Sequence, residues 1–148
     1  MQKLIPNEIL LGEVSLLLKE GRDVELMTKG GSMNPFIRGE RDSVILRKMP
    51  ESELAPGDIV LAEYRKDNYV LHRVLEICRD EVVLMGDGNI FGKERCRREN
   101  VLGTVIAIVK PSGRKVRPGK AAFWRNLGPV PRRYLLAFYR RIIIKILK

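Results

Sequence analysis

Six short aliphatic runs restrict this chain more than any other feature of its sequence. They are DVELMT (23–28), SVILR (43–47), DIVLAEY (58–64), YVLHRVLEI (69–77), EVVLM (81–85) and VLGTVIAIV (101–109). Each is rich in Val, Ile and Leu, and Gly, Pro, Asp and Asn punctuate the gaps between them. No helix-length periodic segment lies between successive runs. Closely spaced strands without intervening helices exclude alternating α/β units and predict a mainly β fold, one sheet or barrel built over residues 23–110.

Helical spacing appears only at the two ends. Ile9, Leu10, Val14, Leu17 and Leu18 recur at intervals of three and four, with Asn7 placed as an N-cap and Gly21 as a stop. Residues 1–22 therefore form a short amphipathic helical segment. After Lys110, PSGRKVRPGK reads as a Pro/Gly/basic connector, followed by AAFWRNLG and then RRYLLAFYRRIIIKILK. In that last stretch Leu135, Leu136, Tyr139, Ile142, Ile143 and Leu147 gather on one side of a helix. Residues 111–148 are thus a basic connector and an amphipathic helical tail. At 148 residues, the chain has room for one core and appendages rather than two enzymatic domains.

The net charge of +10 belongs to that tail. Eleven of the 28 Lys and Arg fall from Arg114 onward, where there is no Asp or Glu, leaving 17 basic against 18 acidic residues before it. Basic side chains around an apolar stripe that includes Tyr134 and Phe138 suit an anionic membrane interface, so 131–148 is a candidate membrane contact. Packing of the same stripe onto the sheet or another subunit is the competing reading. Nucleic acid is a weaker partner, because no binding motif accompanies the charge. No apolar run reaches the roughly 20 residues of a spanning helix, and no leader pattern opens the chain, so the expectation is a cytoplasmic protein able to sit peripherally on a membrane. Cys78 and Cys96 with one histidine fit neither a disulfide framework nor a zinc cluster, and no metal or other cofactor is expected.

A serine hydroxyl attacks a carbonyl only when a base takes its proton, and the one histidine, His72, must be that base in any Ser/His chemistry. Alternation along YVLHRVLEI puts His72 on the face of Val70 and Val74 and Arg73 on the other. A strand position of this kind either holds a base in place or buries an ordinary imidazole, and His72 alone does not decide between them. Gly30-Gly31-Ser32-Met33-Asn34-Pro35 describes a tight turn after a strand, where backbone can approach a substrate and leave N–H groups for an oxyanion. Asp87 lies in a Gly-Asp-Gly-Asn turn after EVVLM, where an ordinary turn aspartate would also fit.

Taken together, Gly30–Pro35, Leu71-His72-Arg73-Val74 and Gly86-Asp87-Gly88-Asn89, with Pro56-Gly57-Asp58-Ile59-Val60 between them, resemble the signal peptidase I and LexA-type serine protease superfamily over about residues 26–109. The histidine directly before Arg73-Val74 resembles the archaeal and endoplasmic-reticulum branch, where bacterial enzymes have lysine. The resemblance implies a LexA/signal-peptidase-like β domain that acts as a serine endopeptidase on a peptide or protein precursor. In that reading Ser32 is the nucleophile, His72 the general base and Asp87 the acid supporting the imidazole. Gly30, Gly31 and Met33 then form the oxyanion region and cleft floor, although Met33 fits a core position equally. Two positions depart from the family pattern. Gly30 stands where a serine often assists the oxyanion hole, and Gly92 stands where the histidine branch carries another aspartate, with Glu94 nearby as a substitute. A non-catalytic module binding a peptide, partner or membrane is the alternative. A self-cleaving regulator ranks last, because residues 1–22 leave no room for a DNA-binding domain.

Overall fold

A computed structural model describes the backbone of residues 7–147 and side chains from 11 to 142. The elements are α1 (Asn7–Lys19), β1 (Val24–Met27), β2 (Ser43–Arg47), β3 (Ile59–Arg65), β4 (Asn68–Cys78), β5 (Glu81–Met85), β6 (Glu94–Arg97), β7 (Val101–Val109), β8 (Lys115–Val116), α2 (Ala122–Arg125) and α3 (Pro129–Leu147). All strands join one antiparallel sheet in the order β1-β2-β7-β3-β4-β5-β6, with β8 paired to β7. The six aliphatic runs are β1–β5 and β7. Two further strands were not expected. β6, Glu94–Arg97, has a single apolar residue and so carries no hydrophobic signal, and β8 extends the sheet into the supposed connector.

β3 explains why the runs are continuous rather than alternating. Ile59 and Leu61 point into one core with Val44, Leu46, Val105 and Ile108, whereas Val60 and Ala62 point into a second with Val74, Val82, Leu84 and Val101. A strand buried on both faces needs apolar residues at every position. Helix α1 closes the first core with Leu11, Val14 and Leu18. It packs so tightly on β7 that a Cβ at Gly103 would lie 2.9 Å from Leu18 Cδ1. The helix stops where expected: Gly21 takes φ +83° and donates to the Leu18 carbonyl, while Arg22 donates to Leu17. The cap assigned to Asn7 and the apolar positions Ile9 and Leu10 lie outside the described side chains.

The tail folds onto the body. Trp124 and Leu136 are buried, and so is Arg132, which the sequence had grouped with the charged face. α3 starts at Pro129, where a missing N–H costs nothing in the first turn. Its expected stripe is divided. Leu136 turns inward, whereas Val130, Tyr134, Phe138 and Ile142, four residues apart, stay exposed with Leu135 beside them. Ile143, Lys145, Leu147 and Lys148 lie outside the described side chains. Among the described residues no helix is long and apolar enough to cross a membrane.

Candidate functional site

The loop joining β1 to β2 carries Ser32, and its two ends are tied together. Thr28 accepts from the Glu40 amide and gives its hydroxyl to the Asp42 carbonyl at 2.7 Å. The Asp42 carboxylate, fully buried, accepts from the Arg38 amide and Lys110 Nζ. Inside the loop, Asn34 donates to Gly31, and Phe36 and Ile37 donate to the Met33 carbonyl. Met33 and Ile37 are both buried in the first core and anchor this turn from beneath. Ser32, between them and Gly31, remains half-exposed. Met33 therefore belongs to the core, and its Sδ also accepts the Asp87 amide at 3.5 Å.

Residues 86–89 lie directly against this turn. Gly88 donates to the Ser32 carbonyl at 2.8 Å. A Cβ at Gly88 would meet the Gly31 carbonyl at 2.1 Å, and one at Gly86 would meet the Ser32 carbonyl at 2.3 Å and His72 Nε2 at 3.0 Å. Only glycine allows two backbones to approach so closely. The Ser32 main chain and the Nε2 of His72 thus converge on one point, which Gly86 keeps open. Gly30, at φ +71°, and exposed Gly31 complete the entry to the turn.

His72 is held by the centre of the sheet, opposite Val60 on β3, and is buried. Its Nδ1 pairs with Glu94 Oε1 on β6 in a very short contact. In the tautomer that donates Nδ1–H to this carboxylate, Nε2 carries the lone pair and faces the Ser32 turn. Among the described residues the Ser32 hydroxyl makes no hydrogen bond, and the main-chain N–H groups of Gly31, Ser32 and Met33 meet no acceptor.

Asp87 is not the partner of the imidazole. Both of its oxygens are taken by Arg73, with Nε at 2.9 and 3.1 Å and Nη2 at 2.7 Å. Arg73 Nη1 donates to the carbonyls of Gly57 and Gly119, and both members of the pair are almost completely buried. The correction follows from alternation: Arg73 leaves β4 on the face opposite His72, and Asp87 sits on Arg73's side. Two aromatic rings with no signal in the sequence, Phe36 and Trp124, pack beside this pair. Phe36 lies 5.2 Å from the Arg73 guanidinium and packs edge-on against Trp124 at 6.0 Å, while Trp124 Nε1 donates to the Asp87 carbonyl. Arg132 stacks over the Trp124 ring at 5.4 Å.

A cavity of about 330 Å³ opens at Ser32, bordered by Gly31, Asn34, Gly88 and Asn89 and, from α3, by Leu136, Tyr139 and Arg140. The tail helix is thus one wall of the cleft that contains the serine. No such contact is visible in the sequence. Among the described residues no set of three or more His, Cys, Asp or Glu side chains gathers as a metal site.

No family model matches this sequence, and no curated protein matches it.

Proposed function

We propose that the chain is a serine endopeptidase in which Ser32 is the nucleophile, His72 the general base and Glu94 the carboxylate that orients the base. The observation that supports this best is the convergence of His72 Nε2 and the Ser32 turn above Gly86, with Nδ1 fixed by Glu94. In the reaction, Ser32 Oγ attacks the scissile carbonyl as Nε2 takes its proton. The imidazolium formed is stabilised by Glu94 and returns the proton to the leaving amine; water then repeats the sequence to release the acyl group. The unpaired N–H groups at Gly31–Met33 are the donors available to the oxyanion, in place of the hydroxyl that Gly30 lacks. The absence of a Ser32–His72 hydrogen bond is compatible with this chemistry, since such bonds often tighten only when substrate is bound.

The substrate in this reading is a protein or peptide precursor, cleaved by a LexA/signal-peptidase-like domain on the cytoplasmic surface of a membrane. The exposed stripe of Val130, Tyr134, Phe138 and Ile142, flanked by Arg133 and Arg141, supports peripheral contact with an anionic bilayer. A non-catalytic peptide-binding module is the second reading, favoured by the α3 wall over Ser32.

The test is cleavage of a peptide library by the parent protein, Ser32→Ala and His72→Ala, with and without anionic vesicles. Cleavage lost in both variants is expected, and stimulation by vesicles assigns the tail its role. Cleavage that persists in Ser32→Ala, or no cleavage by folded parent protein in any condition, refutes the peptidase reading in favour of the module.

A further inference from the structure

A second cavity, of about 400 Å³, lies between the loop 90–93 and the corner joining α2 to α3. Its volume falls within the roughly 300–1,000 Å³ of small-ligand sites. Met85, Ile90 and Phe91 give it apolar walls, while Lys93, Arg125 and Arg132 supply three cations, and no carboxylate lines it.

We propose that this cavity binds an amphiphilic anion, a phosphate or carboxylate head on a single alkyl chain. Arg132 carries the argument. Its side chain is nearly all buried, yet it has no ion pair among the described residues. Nη1 donates to the Asn89 carbonyl and Met85 Sδ and Nη2 to the Trp124 carbonyl, whereas Nε has no partner among the described residues. A buried charge is ordinarily paired, and a buried donor ordinarily bonded. The nearest acid, Asp87, already gives both oxygens to Arg73. Burial pulls the Arg132 guanidinium below its usual pKa; the Asp87 charge opposes that shift only in part, and Arg73 reinforces it. An anion in the cavity would compensate this charge together with the rim cations Lys93 and Arg125. The head alone would leave the apolar walls at Ile90 and Phe91 uncovered, and Phe91 is largely exposed. This inference does not depend on peptidase activity.

The experiment is calorimetric titration of the full chain with octyl phosphate below its micellar concentration, beside octanol, inorganic phosphate, and phosphatidylglycerol or phosphatidylcholine vesicles. Octyl phosphate should bind one to one, with octanol and inorganic phosphate each at least about tenfold weaker. Lys93→Ala/Arg125→Ala should lose roughly tenfold or more, as the loss of charge-assisted hydrogen bonds requires. Arg133→Ala/Arg141→Ala, which removes the same charge outside the cavity, should bind octyl phosphate like the parent, and so should Ser32→Ala. Binding of phosphatidylglycerol vesicles alone, lost only in the cavity variant, would identify a bilayer lipid as the source. Equal binding of octanol, equal loss in both double variants, or no binding of either anionic probe overturns the assignment.

Discussion

Replacing Asp87 by asparagine removes one negative charge from a site where Arg73 is 1% exposed and cannot reach water. Three of the five hydrogen bonds that the Arg73 guanidinium makes go to Asp87 and would be altered, leaving those to the Gly57 and Gly119 carbonyls. The amide offers one acceptor oxygen, and its NH2 faces guanidinium N–H groups. The remaining cation is then buried without compensation, and Arg132 close by adds repulsion. Removing one partner of a buried pair costs about 3–5 kcal/mol. At about 2–4 °C per kcal/mol for a chain of this size, the melting temperature should fall by roughly 6–20 °C. Urea denaturation followed by circular dichroism reads the loss as a lower midpoint, and the fluorescence of Trp124, the sole tryptophan, reports from the Asp87 carbonyl itself. A change below about 1 kcal/mol with an unchanged denaturant slope would refute the assignment of Asp87 to Arg73 as a structural pair.

Two further outcomes separate the site from the scaffold. Glu94→Gln makes the same charge change on a carboxylate that is not sealed in the core, so stability should change by no more than about 1 kcal/mol. Under the peptidase reading kcat/KM should fall by up to about 10⁴-fold because the imidazole loses its oriented tautomer; unchanged turnover by a folded Glu94→Gln would remove Glu94 from the mechanism. Burial pushes the Cys96 thiol up to about 11, and an upward shift keeps the unreactive thiol form at pH 8. A thiol reagent should therefore modify only exposed Cys78 in native protein and both cysteines in denaturant, and rapid modification of two native thiols would contradict that burial.

The parts of the molecule legible in sequence are those whose signal is local. β3 announces itself because its first four positions are apolar and buried on both faces, β7 because eight of its nine residues are aliphatic or glycine, and α1 because three turns of Leu and Val end at a glycine able to adopt a positive φ. β6 gave no such signal: Glu94, Arg95 and Arg97 surround one cysteine, and the strand exists because β5 offers an edge to pair with. Glu94 was consequently only a neighbour of interest in the sequence. Its meeting with His72 depends on the β4–β5–β6 order, which brings a residue 22 positions away to the imidazole.

The same division runs through the candidate site. The sequence by itself determined a serine in a glycine-bounded turn, one histidine fixed in a strand with Arg73 on its opposite face, and a basic, amphipathic tail, because each depends on residue type and on the period of a helix or strand. Tertiary structure alone decided which carboxylate each of His72 and Arg73 receives, and that α3 turns Arg132 and Leu136 inward, with Leu136 walling the Ser32 cleft. These are choices among chemically equivalent partners, and only the packing of distant elements distinguishes one carboxylate, or one face of a helix, from another.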